Sequence, residues 1–385
     1  MRRSLRLVLL LAAWHALVQG PGARDAACEP PSAVGPKPPS TRAFRLGFTR
    51  WPSDLTPQGV KASVDFAHAH GDLVSVMFIG GVPWPEAYAG KPFSQDVEQA
   101  LAYRPPAGTR VLLSISPLDQ ARHGMAPWWG AKDNLPLPRP WDARALNSPE
   151  VKQAYLAFTL RAVEALKPDV LAAGIELNAL LSHDPEGWKQ AKDLYRATYA
   201  GVKARHPDLP VCFTTEVNHL KGLHTGSEAA VQAREVADLL KQSDLFALSL
   251  YPYMSHGVPR PVPDDFLDFA PRYGKPVCVS ESGFTSRDVT LASYGLTLRG
   301  SEDEQSHWLR LLLATAARDR YRFVVQFAGL DFERLVERLP PPTADLARIW
   351  CFTGLAHSDG RAKPALAVWE AWRRAALEPP APPAR

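Results

Sequence analysis

From residue 44 to residue 327 the chain alternates between two textures. Short apolar runs close in Gly, Pro, Asn or an aromatic residue, and each is followed by a longer stretch with helical periodicity. Eight of the runs read as strands: Phe44–Thr49, Leu73–Ile79, Arg110–Ser116, Val170–Glu176, Val211–Glu216, Phe246–Tyr251, Pro276–Glu281 and Phe323–Phe327. Their almost continuous apolar character suits strands buried on both faces, which means parallel strands covered by helices. The spacing predicts helices over Pro57–His70, Pro149–Leu166, Gly187–His206, Glu228–Gln242 and Glu302–Arg318. The second of these opens with Ser148, a capping residue, and then Pro149, which fits a first turn. Eight strands alternating with helices predict an α/β fold, a single (β/α)8 TIM barrel rather than an open doubly wound sheet. No strand is followed by a Gly-rich nucleotide-binding signature such as GxGxxG.

The chain ends have a different texture. Arg2, Arg3 and Arg6 precede an apolar run from Leu7 to Val18, and small residues follow from Gly20 to Ala27. This is the pattern of an export signal over residues 1–27, and it implies a secreted or periplasmic protein with no stable membrane insertion. A Pro-rich linker over 28–42 follows, then a catalytic domain over 43–376 and a Pro-rich tail over 377–385. Hydrophobic residues make up 46% and charged residues 22% of the 385, the balance of a globular domain with a substantial core. A net charge of +4, with no basic tract interleaved with aromatics, argues against a nucleic-acid partner. The four cysteines lack metal-ligand spacing, and Cys212 and Cys278 fall inside apolar strands as small buried hydrophobes. Among the eleven histidines, His68, His70, His123, His183, His219 and His224 form no HxxxH or HExxH set, so neither a metal nor any other cofactor is expected.

In a barrel of this type the chemistry sits at the C-terminal ends of the strands. Two glutamates hold such positions: Glu176, closing the fourth strand in Gly174-Ile175-Glu176-Leu177-Asn178, and Glu281, closing the seventh in Val279-Ser280-Glu281-Ser282-Gly283-Phe284. A carboxylate ending an apolar strand is costly unless paired or used. Two of them across one barrel mouth suit retaining glycoside hydrolysis, in which one carboxyl donates a proton and the other attacks the anomeric carbon.

The order of these motifs resembles clan A of the retaining glycoside hydrolases, and most of all its endo-β-1,4-galactanase and β-glycanase members. The likeness rests on the strand-end glutamates, on Ser249-Leu250-Tyr251-Pro252-Tyr253, and on a closing segment with Thr353-Gly354-Leu355, Ser358-Asp359-Gly360 and Lys363-Pro364-Ala365. It implies Glu176 as acid/base, Glu281 as nucleophile, and Tyr251 as a hydrogen-bond partner of that nucleophile. One departure stands out. The clan carries Asn directly before its acid/base; here that position is Ile175, with Asn178, two residues after Glu176, or Asn218 as a candidate substitute.

Glu216, ending the fifth strand, is a rival acid or a helper carboxylate. Trp51, Trp84, Trp128, Trp129 and Trp350 fall in or near strand-end loops, where two or three of them are expected to line a sugar cleft; Trp51, Trp84 and Trp350 are the candidates. Arg50 follows the first strand and reads equally as a substrate contact or a structural ion pair. The function expected is an exported retaining hydrolase of β-linked glycans, with a carbohydrate substrate. The alternative is a barrel that binds glycan without cleaving it.

Overall fold

The computed structural model describes residues 40–378, so the export signal and most of the linker and tail lie outside the described residues. Eight staves carry the fold: β1 (Arg45–Thr49), β2 (Leu73–Phe78), β3 (Arg110–Ile115), β4 (Val170–Ala172), β5, β6 (Phe246–Leu250), β7 (Val277–Ser282) and β8 (Phe323–Gln326). The fifth consists of two segments, Val211–Cys212 and Thr214–Glu216, on either side of Phe213. The first segment pairs with β4 and the second with β6, and every pairing between staves is parallel. The order β5-β4-β3-β2-β1-β8-β7-β6 therefore returns to β5, closing the barrel.

The larger helices of the outer layer are α1 (Pro57–His70), α2 (Pro149–Leu166), α3 (Pro185–Arg205), α4 (Ala229–Leu239), α5 (Glu302–Arg318) and α6 (Pro364–Arg373). Their starts follow the capping chemistry. The hydroxyls of Thr56, Ser148 and Ser301 accept from the amides of Gly59, Val151 and Glu304, satisfying donors that a first turn leaves open. No helix among the described residues is long and apolar enough to cross a membrane.

Two apolar cores result. The larger packs helices against the outside of the staves, and the smaller gathers residues such as Leu73, Leu112, Ala172, Cys212, Ala247, Cys278 and Val325 inside the barrel. Cys212, Cys278 and Cys351 are buried free thiols. Side chains alternate faces along a strand, so positions in step with the inner cluster point inward all the way to the mouth. On β4 and its continuation the inward series runs Val170, Ala172, Gly174, Glu176; on β6 it runs Ala247, Ser249, Tyr251.

Strand β7 would break this rule. Counting by twos from inward Cys278 reaches Ser280 and leaves Glu281 facing out. A β-bulge corrects it: Leu248 pairs with Val279, but the next residue, Ser249, pairs with Glu281. The extra residue moves Glu281 onto the inner face.

The ends of the domain differ from expectation in one respect. Thr41–Arg42, read as linker, pairs in parallel with Ala376–Leu377. Arg42 is buried and bridges Asp72 at 2.8 Å, so the fold begins before residue 43. The closing segment is tied down by Lys363, whose buried ammonium lies 2.7 Å from Asp331 and 2.8 Å from the Ser286 hydroxyl. A Cβ at Gly354 would come within 2.3 Å of the Asp331 nitrogen, so this backbone approach requires glycine.

Candidate active site

At the C-terminal mouth a cleft of about 710 Å³, counting its open side, is lined by Glu176, Glu216 and Glu281 together with Trp51, Tyr251, Trp350, Met77, Ile79, Gln120, Arg122 and Phe327. Most of these are the inward positions just past the strand ends. Gln120 and Arg122 come instead from the loop after β3.

Glu176 does not end a strand. Strand β4 stops at Ala172, and the chain then bends, placing Glu176 in the left-handed region at φ 50° and ψ 41°. Its amide donates to Thr214 Oγ1 at 2.8 Å. One carboxylate oxygen accepts from the Ser249 hydroxyl at 2.7 Å, and the other lies 3.0 Å from Arg122 Nη2. Arg122 also donates from Nη1 to the Asp119 and Gln120 carbonyls, at 2.9 and 3.1 Å, and its own φ is 58°. Both members of this buried pair therefore hold a backbone conformation that costs a non-glycine residue about 1 kcal/mol or more. Strain of that kind is concentrated at functional sites.

Glu281 is gripped differently. The Tyr251 hydroxyl donates to its Oε1. Burial, and then the nearby charge of Glu176, push the Glu281 carboxyl up to about 8, while Tyr251 and Arg122 pull it down. Glu216 is also raised to about 8, first by burial and then by Glu176. Three carboxyls thus share one desolvated space with one guanidinium, and the charge of Glu176 disfavours ionisation of Glu216 and Glu281. The aromatic wall is continuous: Trp350 lies edge-on to Tyr251 at 6.2 Å, and Trp51 lies 5.0 Å from Phe327.

Not every candidate reaches the cleft. Asn178 is fully buried in the short helix Leu177–Ser182; its amide accepts from the Glu216 backbone N–H at 2.8 Å and donates to Gln232 at 3.1 Å. It stands behind Glu216 rather than beside a sugar. Trp84 is also fully buried, with its indole N–H on the Ala126 carbonyl at 2.8 Å and its ring stacked on Trp141. Of the five tryptophans, Trp51 and Trp350 line the cleft, while the indoles of Trp128 and Trp129 are held by Glu86 and Asp96. Arg50 stacks on the Tyr103 ring at 3.6 Å. Arg122 and Ser249 escape a reading of the sequence. The inward series on β6 marks Ser249, whereas nothing in the loop around Arg122 signals its role.

Comparison with known proteins finds a family likeness over the middle of the chain. Residues 128–310, which include Glu176 and Glu281, match the model of Glycosyl hydrolase family 53. This stretch resembles a clan A glycoside hydrolase family, and the chain as a whole folds as a (β/α)8 barrel. Solved structures carry the same fold at low identity. The barrel superposes on a GH5_18 protein from Streptomyces cattleya, solved with Manβ1-4GlcNAc, with a TM-score of 0.60 and 19% identity over 88% of this chain and 82% of that one. The GH53 catalytic domain of Ignisphaera aggregans gives 0.55 and 18% over 88% and 98%. The exo-β-1,4-mannosidase Op5Man5 from an Opitutaceae bacterium gives 0.57 and 14%, covering 86% of this chain. The chain spans only 59% of that mannosidase's length. Among curated proteins none matches it.

Proposed function

We propose that this barrel is a retaining hydrolase of β-linked glycans, with Glu281 as nucleophile and Glu176 as acid/base. The observation carrying the reading is that the two carboxyls face one cleft, Glu176 from the turn after β4 and Glu281 from β7, each held by its own hydrogen-bond partners. In the first step a Glu281 oxygen attacks the anomeric carbon, the glycosidic C–O bond breaks, and Glu176 passes its proton to the departing oxygen. In the second step water attacks the glycosyl-enzyme, Glu176 takes its proton, and Glu281 leaves as carboxylate. Tyr251 orients Glu281 by donating to Oε1, and Ser249 and Arg122 fix Glu176 from both sides. Trp51 and Trp350 offer apolar ring faces against which sugar C–H surfaces stack.

The substrate class comes from likeness: a β-1,4-linked hexose glycan, since the mannosidase and the Manβ1-4GlcNAc complex share the fold. Export is part of the proposal and rests on the arginines and apolar run at the N-terminus.

A second reading has a specific observation in its favour. Ile175 occupies the place of the clan's sugar-binding Asn, and both Glu176 oxygens already have protein partners, as in a barrel that holds glycan without cutting it. Azide rescue separates the two. On an aryl β-glycoside, Glu176→Ala with azide should yield the β-glycosyl azide, and Glu281→Ala with azide the α-anomer. A wild-type protein that binds galactan or mannan but turns over neither the polymers nor any aryl β-glycoside would establish the binding role instead.

A further inference from the structure

Behind the third carboxylate lies a group that hydrolysis does not use. Glu216 caps the short helix Val217–Leu220, accepting the His219 amide N–H at 2.6 Å on Oε2. His219 lies in that helix and His224 in the turn after it, with their rings 4.6 Å apart between centroids. His224 Nε2 is 3.9 Å from Glu216 Oε2, and one ligand atom from each of the three residues lies within 4.8 Å of the others. All three side chains are buried.

We propose that Glu216, His219 and His224 bind a divalent transition-metal ion of the zinc class in the wall of the cleft. Two imidazoles and one carboxylate are the donor set that such ions take, with N and O distances of about 2.0–2.2 Å, which small side-chain rotations from the present spacing supply. The orientation of His219 supports this independently. Its Nδ1 meets the hydroxyls of Ser182 and Ser227, each at 2.7 Å, so coordination falls to Nε2. A metal-binding histidine commonly has its other ring nitrogen fixed by such an outer partner. Ser182 and Ser227 also bond one another at 2.6 Å, and Gln232 Nε2 donates to Ser182 at 3.1 Å, tying this support to α4. Three protein ligands leave a fourth position for water or a ligand oxygen. Glu216 lines the cleft, so the ion would engage a carboxylate that faces the proposed substrate site. The histidines carry no HxxxH or HExxH spacing, which is why the sequence alone points to no metal.

The test is titration of the chelator-treated full chain with ZnCl2 by calorimetry, with cobalt(II) absorption as a second readout independent of hydrolysis. The expected result is one ion per chain, a rise in melting temperature, and visible cobalt bands. His224→Ala should weaken binding at least tenfold, and the Ser182→Ala/Ser227→Ala pair, which keeps all three ligands, by about 10–100-fold. Circular dichroism establishes that each variant is folded. Absence of equimolar binding to the wild-type chain overturns the proposal, as does unchanged affinity in folded His224→Ala or in the double serine variant.

Discussion

Replacing Tyr251 with Phe removes one hydroxyl and little else. The ring is buried, packed edge-on against Trp350, Phe327 and Tyr253 at 6.2, 6.5 and 6.3 Å, and Phe preserves those contacts. The change lies in Glu281, which loses the hydrogen bond on Oε1. A hydrogen bond to a charged acceptor contributes about 1.5–3 kcal/mol. Converted through the transition-state relation, that is a fall of about 10–100-fold in kcat/KM if the bond serves the attacking carboxylate. The same energy moves the carboxyl upward, because the donor favours its ionised form; Glu281 already stands at about 8. The acid limb of the kcat/KM profile should therefore shift to higher pH by about 1–2 units. The assay is initial rates on an aryl β-glycoside across pH, with melting curves to show that the fold is intact. A Tyr251→Phe enzyme with wild-type rate and an unmoved limb would refute the pairing of Tyr251 with the reacting carboxylate.

Arg122→Met leaves Glu176 buried without its cation. Side-chain exposures of 8% and 11% place this pair in the class whose disruption costs about 3–5 kcal/mol. With about 2.1 cal/mol/K of unfolding entropy per residue, the melting temperature should fall by about 4–7 °C, and a change under 1 °C in calorimetry would contradict the burial argument. The pH dependence of stability has a definite sign. Above its ordinary value of 4.5 unfolded Glu281 has released a proton that the native chain keeps until about 8, so stability falls as pH rises through that window. Glu281→Gln should remove up to about 1.4 kcal/mol per pH unit of that slope in denaturant titrations, and an unchanged slope would show the group ionised throughout. Trp350→Ala removes a stacking face, so KM for a glycan should rise by up to about tenfold with kcat little changed. A fall in kcat alone would place Trp350 in the chemical step rather than in binding.

Much of the fold was legible because the signals are local. The capping hydroxyl of Ser148 and the first-turn Pro149 marked a helix start, and apolar runs marked the staves. Strand ends were less so. The fourth run reads as continuous to Glu176, yet β4 ends at Ala172, because the path beyond it is set by a left-handed turn and by the Thr214 hydroxyl across the barrel. That turn also carries Asn178 into the packing behind Glu216, against the expectation that it faces a sugar. Glu281 was found as a strand-end carboxylate, but its inward direction depends on a bulge that composition does not reveal. Arg122 is the clearest omission. A loop arginine acquires its place only when β3 and β4 are side by side, and nothing within its own segment distinguishes it from its neighbours. Trp84 failed for the opposite reason: it begins a short helix that packs inward on Trp141 and Tyr155.

The central claim, a glycosyl-enzyme on Glu281, can be observed directly. An activated 2-deoxy-2-fluoro β-glycoside of the preferred sugar should inactivate the enzyme in step with loss of its leaving group. Peptide mass spectrometry should then place the fluoroglycosyl group on the peptide containing Glu281, and Tyr251→Phe should slow the labelling. A label on Glu176 or Glu216, or a protein that hydrolyses the parent glycoside with no label on any carboxylate, would contradict the account.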